Sequence, residues 1–419
     1  MTVNNAPQGH RAPSNRLSVV IVGAGHAGGR AAETLRNAEH RGPIIVIGSE
    51  KYRPYERPPL SKELLGGRLD VDKTFLRPAR FYEDAGIDLA LGVTAVKIDC
   101  TSQRVDLSDG RLIAYDRLIL TTGARPRRLT IPCEATDRIF YLRDLADSLA
   151  LASQLKPGIW LAVIGAGFIG LEVAATARQM GALVTVIEYF RHPLARVAPQ
   201  EIGEYLMRLH QRHGVIIHTN VRISRIDDGG QSVIIRVEGG GAIEADLIVV
   251  GIGAMPNMEL AQIAGLLVND GVLVNEFGQT SDPAIFAAGD VTRHFNPVMK
   301  RALRLESWQN AQNQSVAVAK IVAGGQEPFA EVPWFWTDQF DMNLQMAGIH
   351  DGCDQLVWRG TCDDSSFTLF HLAQGKLVAA TTVNNAREMR FARILIARGK
   401  PVEVTKLADK AINLQTLLQ

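Results

Sequence analysis

Six glycines and two carboxylates carry the first chemistry that the sequence offers. Gly23-x-Gly25-x-x-Gly28 and Gly165-x-Gly167-x-x-Gly170 share one spacing, and Glu50 and Glu188 stand about 20 residues beyond them. Glycines so spaced let backbone amides and a helix N-terminus approach a pyrophosphate, whose charge the helix dipole favours. A carboxylate at that remove accepts hydrogen bonds from ribose hydroxyls. One such glycine run is weak evidence, because a tightly packed turn explains it equally well. Two runs, each followed by an acid, imply two dinucleotides.

To work, each glycine run must join a buried strand to a helix. Residues 18–22 and 43–47 read as β-strands around an Ala-rich helix, and residues 159–164 and 183–187 repeat the order around a helix closed by Gly181. Beyond residue 330 the texture changes. Residues 367–372 and 377–383 flank Ala373-Gln374-Gly375-Lys376 as a hairpin, after strand-like runs near Leu344 and Leu356. A helix follows, with Asn385 and Glu388 spaced as a capping box, Phe391, Ile394 and Leu395 as its apolar stripe, and Gly399 and Pro401 as its stop. The expected fold class is α/β: two Rossmann-like dinucleotide-binding domains plus a C-terminal α+β domain. Residues 1–16 read as a flexible tail.

At ~100–200 residues per domain, 419 residues suit about three domains. Lys plus Arg number 45 against 44 Asp plus Glu, which lacks the basic excess of a nucleic-acid binder. Cys100, Cys133, Cys353 and Cys362 have no redox spacing and read as packing residues in a reducing compartment. Residues 17–24 and 159–177 imitate a signal peptide and a membrane span, but Gly-x-Gly interrupts both and Glu172 charges the second. The expectation is a cytoplasmic protein with no membrane contact. His210, His213 and His218 lack a matching ligand set, so no metal is expected.

Further motifs give the chain a family resemblance from residue 17 onward. They are Arg57-Pro58-Pro59-Leu60-Ser61-Lys62, Thr121-Thr122-Gly123-Ala124-Arg125-Pro126, Gly170-Leu171-Glu172, Gly251-Ile252-Gly253-x-x-Pro256-Asn257, Ala287-Ala288-Gly289-Asp290-Val291 and Trp336-Thr337-Asp338-Gln339. In this order they resemble the FAD-dependent, NADH-using ferredoxin reductases of bacterial oxygenase systems, of the putidaredoxin reductase and biphenyl dioxygenase reductase type. The resemblance implies a glutathione-reductase-like arrangement: an FAD-binding domain over residues 17–122 and 257–330, an NAD-binding domain over 123–256 and a C-terminal α+β domain over 331–419.

It also implies residue roles. Cofactor contacts are expected at Gly23, Gly25, Ala27, Gly28, Arg57, Lys62, Val96, Thr122, Gly123, Arg143, Gly289, Asp290 and Trp308, and in the second motif at Gly165, Gly167, Phe168, Ile169, Glu188 and Gly253. Ser49 stands where family members often carry an acid, which leaves Ser49 or Glu50 to hold the FAD ribose. A helix beginning near Glu306 would aim its N-terminus at the flavin, where its dipole stabilises negative charge. Glu188 would repel a 2′-phosphate and so favour NADH, with Arg191 and Arg196 opposing that preference. Lys62, Glu172 and Trp336 are the expected catalytic set: Lys62 beside flavin N5, paired with Glu172, and Trp336 between the flavin and the docked partner. The plain alternatives are a solvated lysine, a carboxylate serving the helix dipole and a core tryptophan.

The implied reaction is hydride transfer from NADH to FAD, then single-electron delivery to a 2Fe-2S ferredoxin that feeds a P450 or Rieske oxygenase. No cysteine lies between residues 57 and 65, which disfavours a dithiol relay. Arginines and lysines near residues 125–128, 293–304 and 387–393 would steer an acidic ferredoxin if the fold gathers them. Two other readings are an NADH oxidase and a redox-sensing interaction protein of the apoptosis-inducing-factor kind.

Overall fold

The computed structural model describes residues 16–418. All but Arg16 of the expected tail lies outside those residues. β1 (Val19–Val22) is buried at every position, as suits a parallel strand covered on both faces. It enters α1 (His26–Asn37), whose small buried residues Ala27, Gly28, Ala31 and Ala32 allow close packing on the sheet. β2 (Ile44–Gly48), β3 (Ile87–Leu91) and β4 (Arg117–Leu120) follow. The chain then crosses on residues 124–126 into a second unit.

That unit contains β5 (Ile139–Phe140), β6 (Trp160–Ile164), α2 (Phe168–Gln179), β7 (Leu183–Ile187), α3 (Gln200–Arg212), β8 (Ile216–His218) and β9 (Leu247–Val250). The chain returns on residues 254–256, which pair antiparallel with 124–126. β10 (Ile285–Ala287) then completes the first sheet, and α4 (Trp308–Val322) packs on α1. The main sheets of these two units are parallel, in the orders β10-β4-β1-β2-β3 and β8-β7-β6-β9-β5. The strand order reverses at β1 and at β6, so each glycine run lies at the carboxyl end of a strand where an open α/β sheet forms its ligand crevice.

The third unit is an antiparallel sheet of β11 (Trp334–Gln339), β12 (Met342–Gly348), β13 (Gln355–Arg359), β14 (Phe367–Ala373) and β15 (Lys376–Val383), in the order β11-β12-β15-β14-β13. α5 (Ala386–Arg398) covers it through Met389, Ala392, Leu395 and Ile396. The expected hairpin and helix therefore form. The capping box forms only in part: Asn385 accepts from the Glu388 amide, while the Glu388 side chain accepts from Arg359 at 2.6 Å and from Thr368. The four cysteines are free and half-buried. Among the described residues, no helix is long and apolar enough to cross a membrane.

Among the buried histidines, His210, His294 and His371 are the most strongly perturbed. Burial above all holds each down from its ordinary 6.5 to about 4. The unfolded chain takes up these protons first, so the stability that the neutral rings contribute is complete above pH 6.5 and drains away towards pH 4. We expect the urea midpoint to fall between about pH 7.5 and about pH 5, and His294→Leu to reduce that fall. A parental midpoint independent of pH across this range would contradict the assignment.

Candidate functional site

The glycines of each motif divide into two kinds. Gly23 has a φ of +117°, and a Cβ there would lie 2.2 Å from the Thr121 oxygen; one on Gly28 would lie 1.9 Å from the Gly23 oxygen. In the second motif, Cβ atoms on Gly165 and Gly170 would meet backbone oxygens at 2.5 and 2.1 Å. These four are required by packing. The middle glycines face open space: the nearest atoms to a Cβ would be Arg57 Nη2 at 3.8 Å for Gly25 and the Gly251 oxygen at 3.6 Å for Gly167. Bare backbone turned towards free volume at a helix N-terminus is the cradle that a pyrophosphate requires.

A line of charges borders the first cradle. Glu50 accepts from Tyr55 at 2.5 Å and from Arg57 at 2.7 Å, whereas Ser49 is exposed. Arg57 donates to the Arg143 carbonyl, and Arg143 pairs with Asp290 at 3.1 Å. Gly289, at a φ of +83°, brings its backbone close to Ala27 and ties its amide to Gln314. Thr122 and Asn257 exchange two hydrogen bonds beside Gly123, where the crossing segments meet. Trp308 opens α4 after the Ser307 cap, two residues past Glu306, and its indole donates to Glu56. Val96 lies apart on the small sheet formed by residues 95–99, 104–107 and 112–114, half exposed.

At the second cradle, Glu188 is buried and accepts from the Ala166 amide at 2.6 Å and the Phe190 amide at 2.8 Å. It braces the glycine turn through one bond on each oxygen, and each oxygen keeps a further acceptor site. Gly253, at a φ of +105°, backs onto Arg196. Phe168 packs on Phe335 at 4.0 Å, and Ile169 is exposed beside it.

Lys62 and Glu172 meet between the cradles, 3.3 Å apart and both buried. Lys62 follows the turn of Pro58–Ser61, and Glu172 is the fifth residue of α2. That is past the helix's first turn, so neither the solvated-lysine nor the dipole-partner alternative describes the pair. Glu172 also accepts from Ser61 and, at 2.7 Å, from Thr337. Burial pushes its carboxyl above the usual range, against the pull of Lys62, Ser61 and Thr337. At an effective dielectric near 20, charges this close attract by about 5 kcal/mol, which desolvation of two ions roughly cancels. The pair is therefore a device for holding charge rather than a source of stability. Lys62 Nζ also lies 5.9 Å from the centre of the Trp336 ring, which stacks on Trp334 at 5.1 Å.

The basic residues only partly gather. Arg125 pairs with Glu259, Arg301 with Asp351, and Arg304 with Asp270 and Glu306. On α5, Arg387 and Arg390 are exposed and Arg393 lies over Trp334 at 5.4 Å. His210 bonds Gln339 and His213 stacks on Phe340. Among the described residues, no group of three or more His, Cys, Asp or Glu side chains is placed to hold a metal ion.

Residues 17–315 match the pyridine nucleotide-disulphide oxidoreductase model, and residues 334–418 match the reductase C-terminal model. The chain belongs to the pyridine nucleotide-disulphide oxidoreductase family. A relative within it, the anthranilate 1,2-dioxygenase system ferredoxin–NAD(+) reductase component of Burkholderia cepacia, is 44% identical over 95% of this chain and 98% of its own length. Putidaredoxin reductase of Pseudomonas putida is 37% identical over 96% of each chain. The covalent putidaredoxin reductase–putidaredoxin complex matches with a TM-score of 0.93 at 37% identity, covering 96% of this chain and 98% of that one. The ferredoxin reductase for the CYP199A2 system from Rhodopseudomonas palustris gives 0.92 at 38%, covering 96% and 100%.

Sequence reasoning assigned no role to Tyr55, Glu56, Ser61, Thr337, Gln339 or His210. Their partners lie up to 252 residues away, and only Ser61, Thr337 and Gln339 fell inside quoted motifs.

The two kinds of glycine separate folding from binding. Gly28→Ala should lower the melting temperature of the apoprotein by several degrees, because its Cβ meets a backbone oxygen. Gly25→Ala should leave that temperature within about a degree and weaken FAD uptake roughly ten-fold or more, as read by fluorescence quenching. Equal uptake by Gly25→Ala and the parent would reject the cradle.

Proposed function

We propose that this chain is an NADH-dependent ferredoxin reductase, passing hydride from NADH to FAD and then single electrons to a 2Fe-2S ferredoxin that feeds a P450 or Rieske oxygenase. The observation that carries this reading is the buried Lys62–Glu172 pair between two dinucleotide cradles, in a chain similar over nearly its whole length to such reductases. The first cradle, with Glu50, Arg57, Arg143, Asp290 and Trp308, suits FAD. The second, with Phe168, Ile169 and Glu188, suits NADH. When bound, FAD supplies the conversion of a hydride pair into single electrons.

The chain's own residues set the conditions for that chemistry. Lys62 holds positive charge away from water, where a nearby developing negative charge is stabilised strongly. Glu172 fixes the ammonium position and balances its charge. Trp336 and Trp334 form a half-buried aromatic platform between Lys62 and the surface of α5. Arg393 lies over Trp334, and together with the exposed Arg387 and Arg390 of the same helix it would steer an acidic ferredoxin in a salt-sensitive way. The iron–sulfur cluster belongs to the partner. We place the reaction in the cytoplasm, consistent with four free cysteines. A water-forming NADH oxidase from Lactobacillus brevis and an engineered water-forming NADPH oxidase share the fold at a TM-score of 0.85, but at 19% and 18% identity that likeness shows the fold alone.

Under this reading, the purified holoprotein reduces a 2Fe-2S ferredoxin with NADH much faster than it consumes oxygen. Oxygen consumption that matches NADH oxidation and ignores added ferredoxin would replace the reading with an oxidase. Glu188→Ala should narrow the NADH/NADPH ratio of kcat/KM by roughly ten-fold or more, since the ribose loses its acceptor. An unchanged ratio would confine Glu188 to bracing the Ala166 turn.

A further inference from the structure

We infer that Thr337, Gln339 and His210 form a one-way chain of hydrogen-bond donors that draws Glu172 towards its ionised form and thereby tunes the charge balance at Lys62. This deepens the reductase reading and rests on it only for the use to which that charge is put. Three distances define the chain: His210 Nε2 to Gln339 Oε1 at 2.8 Å, Gln339 Nε2 to Thr337 Oγ1 at 3.1 Å, and Thr337 Oγ1 to Glu172 Oε1 at 2.7 Å.

Direction follows from valence. The Gln339 amide nitrogen can only donate, so Thr337 Oγ1 accepts there and turns its own proton to Glu172. The Gln339 oxygen can only accept, so His210 must carry its proton on Nε2. His210 Nδ1 is then left as a bare acceptor, and no partner stands against it. An imidazolium would need a second acceptor there. A neutral ring needs none, and burial accordingly holds His210 down to about 4. Every link is almost wholly buried: His210 and Thr337 are 0% exposed and Gln339 is 1% exposed.

The links come from separate parts of the fold, which makes the arrangement a clamp. His210 lies on α3, Thr337 and Gln339 alternate on one face of β11, and Glu172 lies on α2. Around Glu172, Lys62 is the facing cation, with the Ser61 hydroxyl from the same turn. Around His210, His213 faces it from its own helix, and Phe340 presents its ring to both. Trp336 and Asp338 take the opposite side of β11, so one strand carries the aromatic platform on one face and the donors to Glu172 on the other. These three are positioning residues, because none of them is the charge itself.

The test reads Glu172 directly. Infrared titration of its protonated-carboxyl band in the apoprotein, assigned by comparison with Glu172→Gln, gives its midpoint without cofactor or partner. In Thr337→Val the midpoint should rise by about one pH unit, a ten-fold change in the equilibrium, and Thr337→Ser should restore it. His210→Phe keeps an aromatic ring beside Phe340 and should shift the midpoint upward by less. In the holoprotein, the flavin midpoint potential measured without NADH or ferredoxin should move in Thr337→Val and return in Thr337→Ser. Parental midpoints in both folded variants, Thr337→Val and His210→Phe, would overturn the chain while leaving the reductase reading intact. Failure of the parent to reduce ferredoxin would sink that reading while leaving the chain intact.

Discussion

One buried ion pair organises the molecule. A lysine and a glutamate with little access to water are tolerated only when each is neutralised and hydrogen-bonded, and Lys62 and Glu172 meet that condition with groups from all three units. Ser61 and Lys62 come from the first, Glu172 from the second and Thr337 from the third. Removing the first or the second unit would strand a charge at a cost of ~3–5 kcal/mol, and removing the third would take a hydrogen bond from Glu172. The interface between units is thus specified by electrostatics as well as by apolar packing. Tyr55, Leu60 and Leu64 of the first unit share one core with Leu171 of the second and Leu344 of the third.

The same requirement explains why two similar glycine turns do different work. Each parallel sheet opens its crevice at the carboxyl end of its central strand, and the crossing segments 124–126 and 254–256 pair antiparallel where the chain leaves and re-enters the first unit. Two packing glycines fix each turn, and the one open glycine in each leaves room for phosphate. The pair is buried where the Pro58–Ser61 turn of the first unit meets α2 of the second, and any charge it contributes there acts at low dielectric.

Much of this was legible in the sequence, for local reasons. Gly23 and Gly165 announce positive φ, the aliphatic runs before them announce buried parallel strands, and the hairpin around Gly375 is written in a few adjacent residues. Glu50 is also marked by spacing, and in the fold Tyr55 and Arg57 hold it while Ser49 is exposed. What remained hidden depends on distant partners. His210 looked like one of three unremarkable histidines, since nothing near it points to Gln339, 129 residues on. Glu188 was read only as a ribose acceptor, because backbone amides leave no trace in a residue pattern. The capping box at Asn385 closed by half for the same reason: Glu388 met a buried arginine from another strand.

The most direct measurement is a double-mutant cycle on anaerobic flavin reduction by NADH, followed by stopped flow in Lys62→Met, Glu172→Gln and the double variant. If the pair acts as one charge-balanced unit, Lys62→Met alone slows reduction by roughly ten-fold or more. The double variant then recovers part of that loss, because no carboxylate is left unpaired. Parental rates in Lys62→Met, or losses that simply multiply across the cycle, would contradict the account.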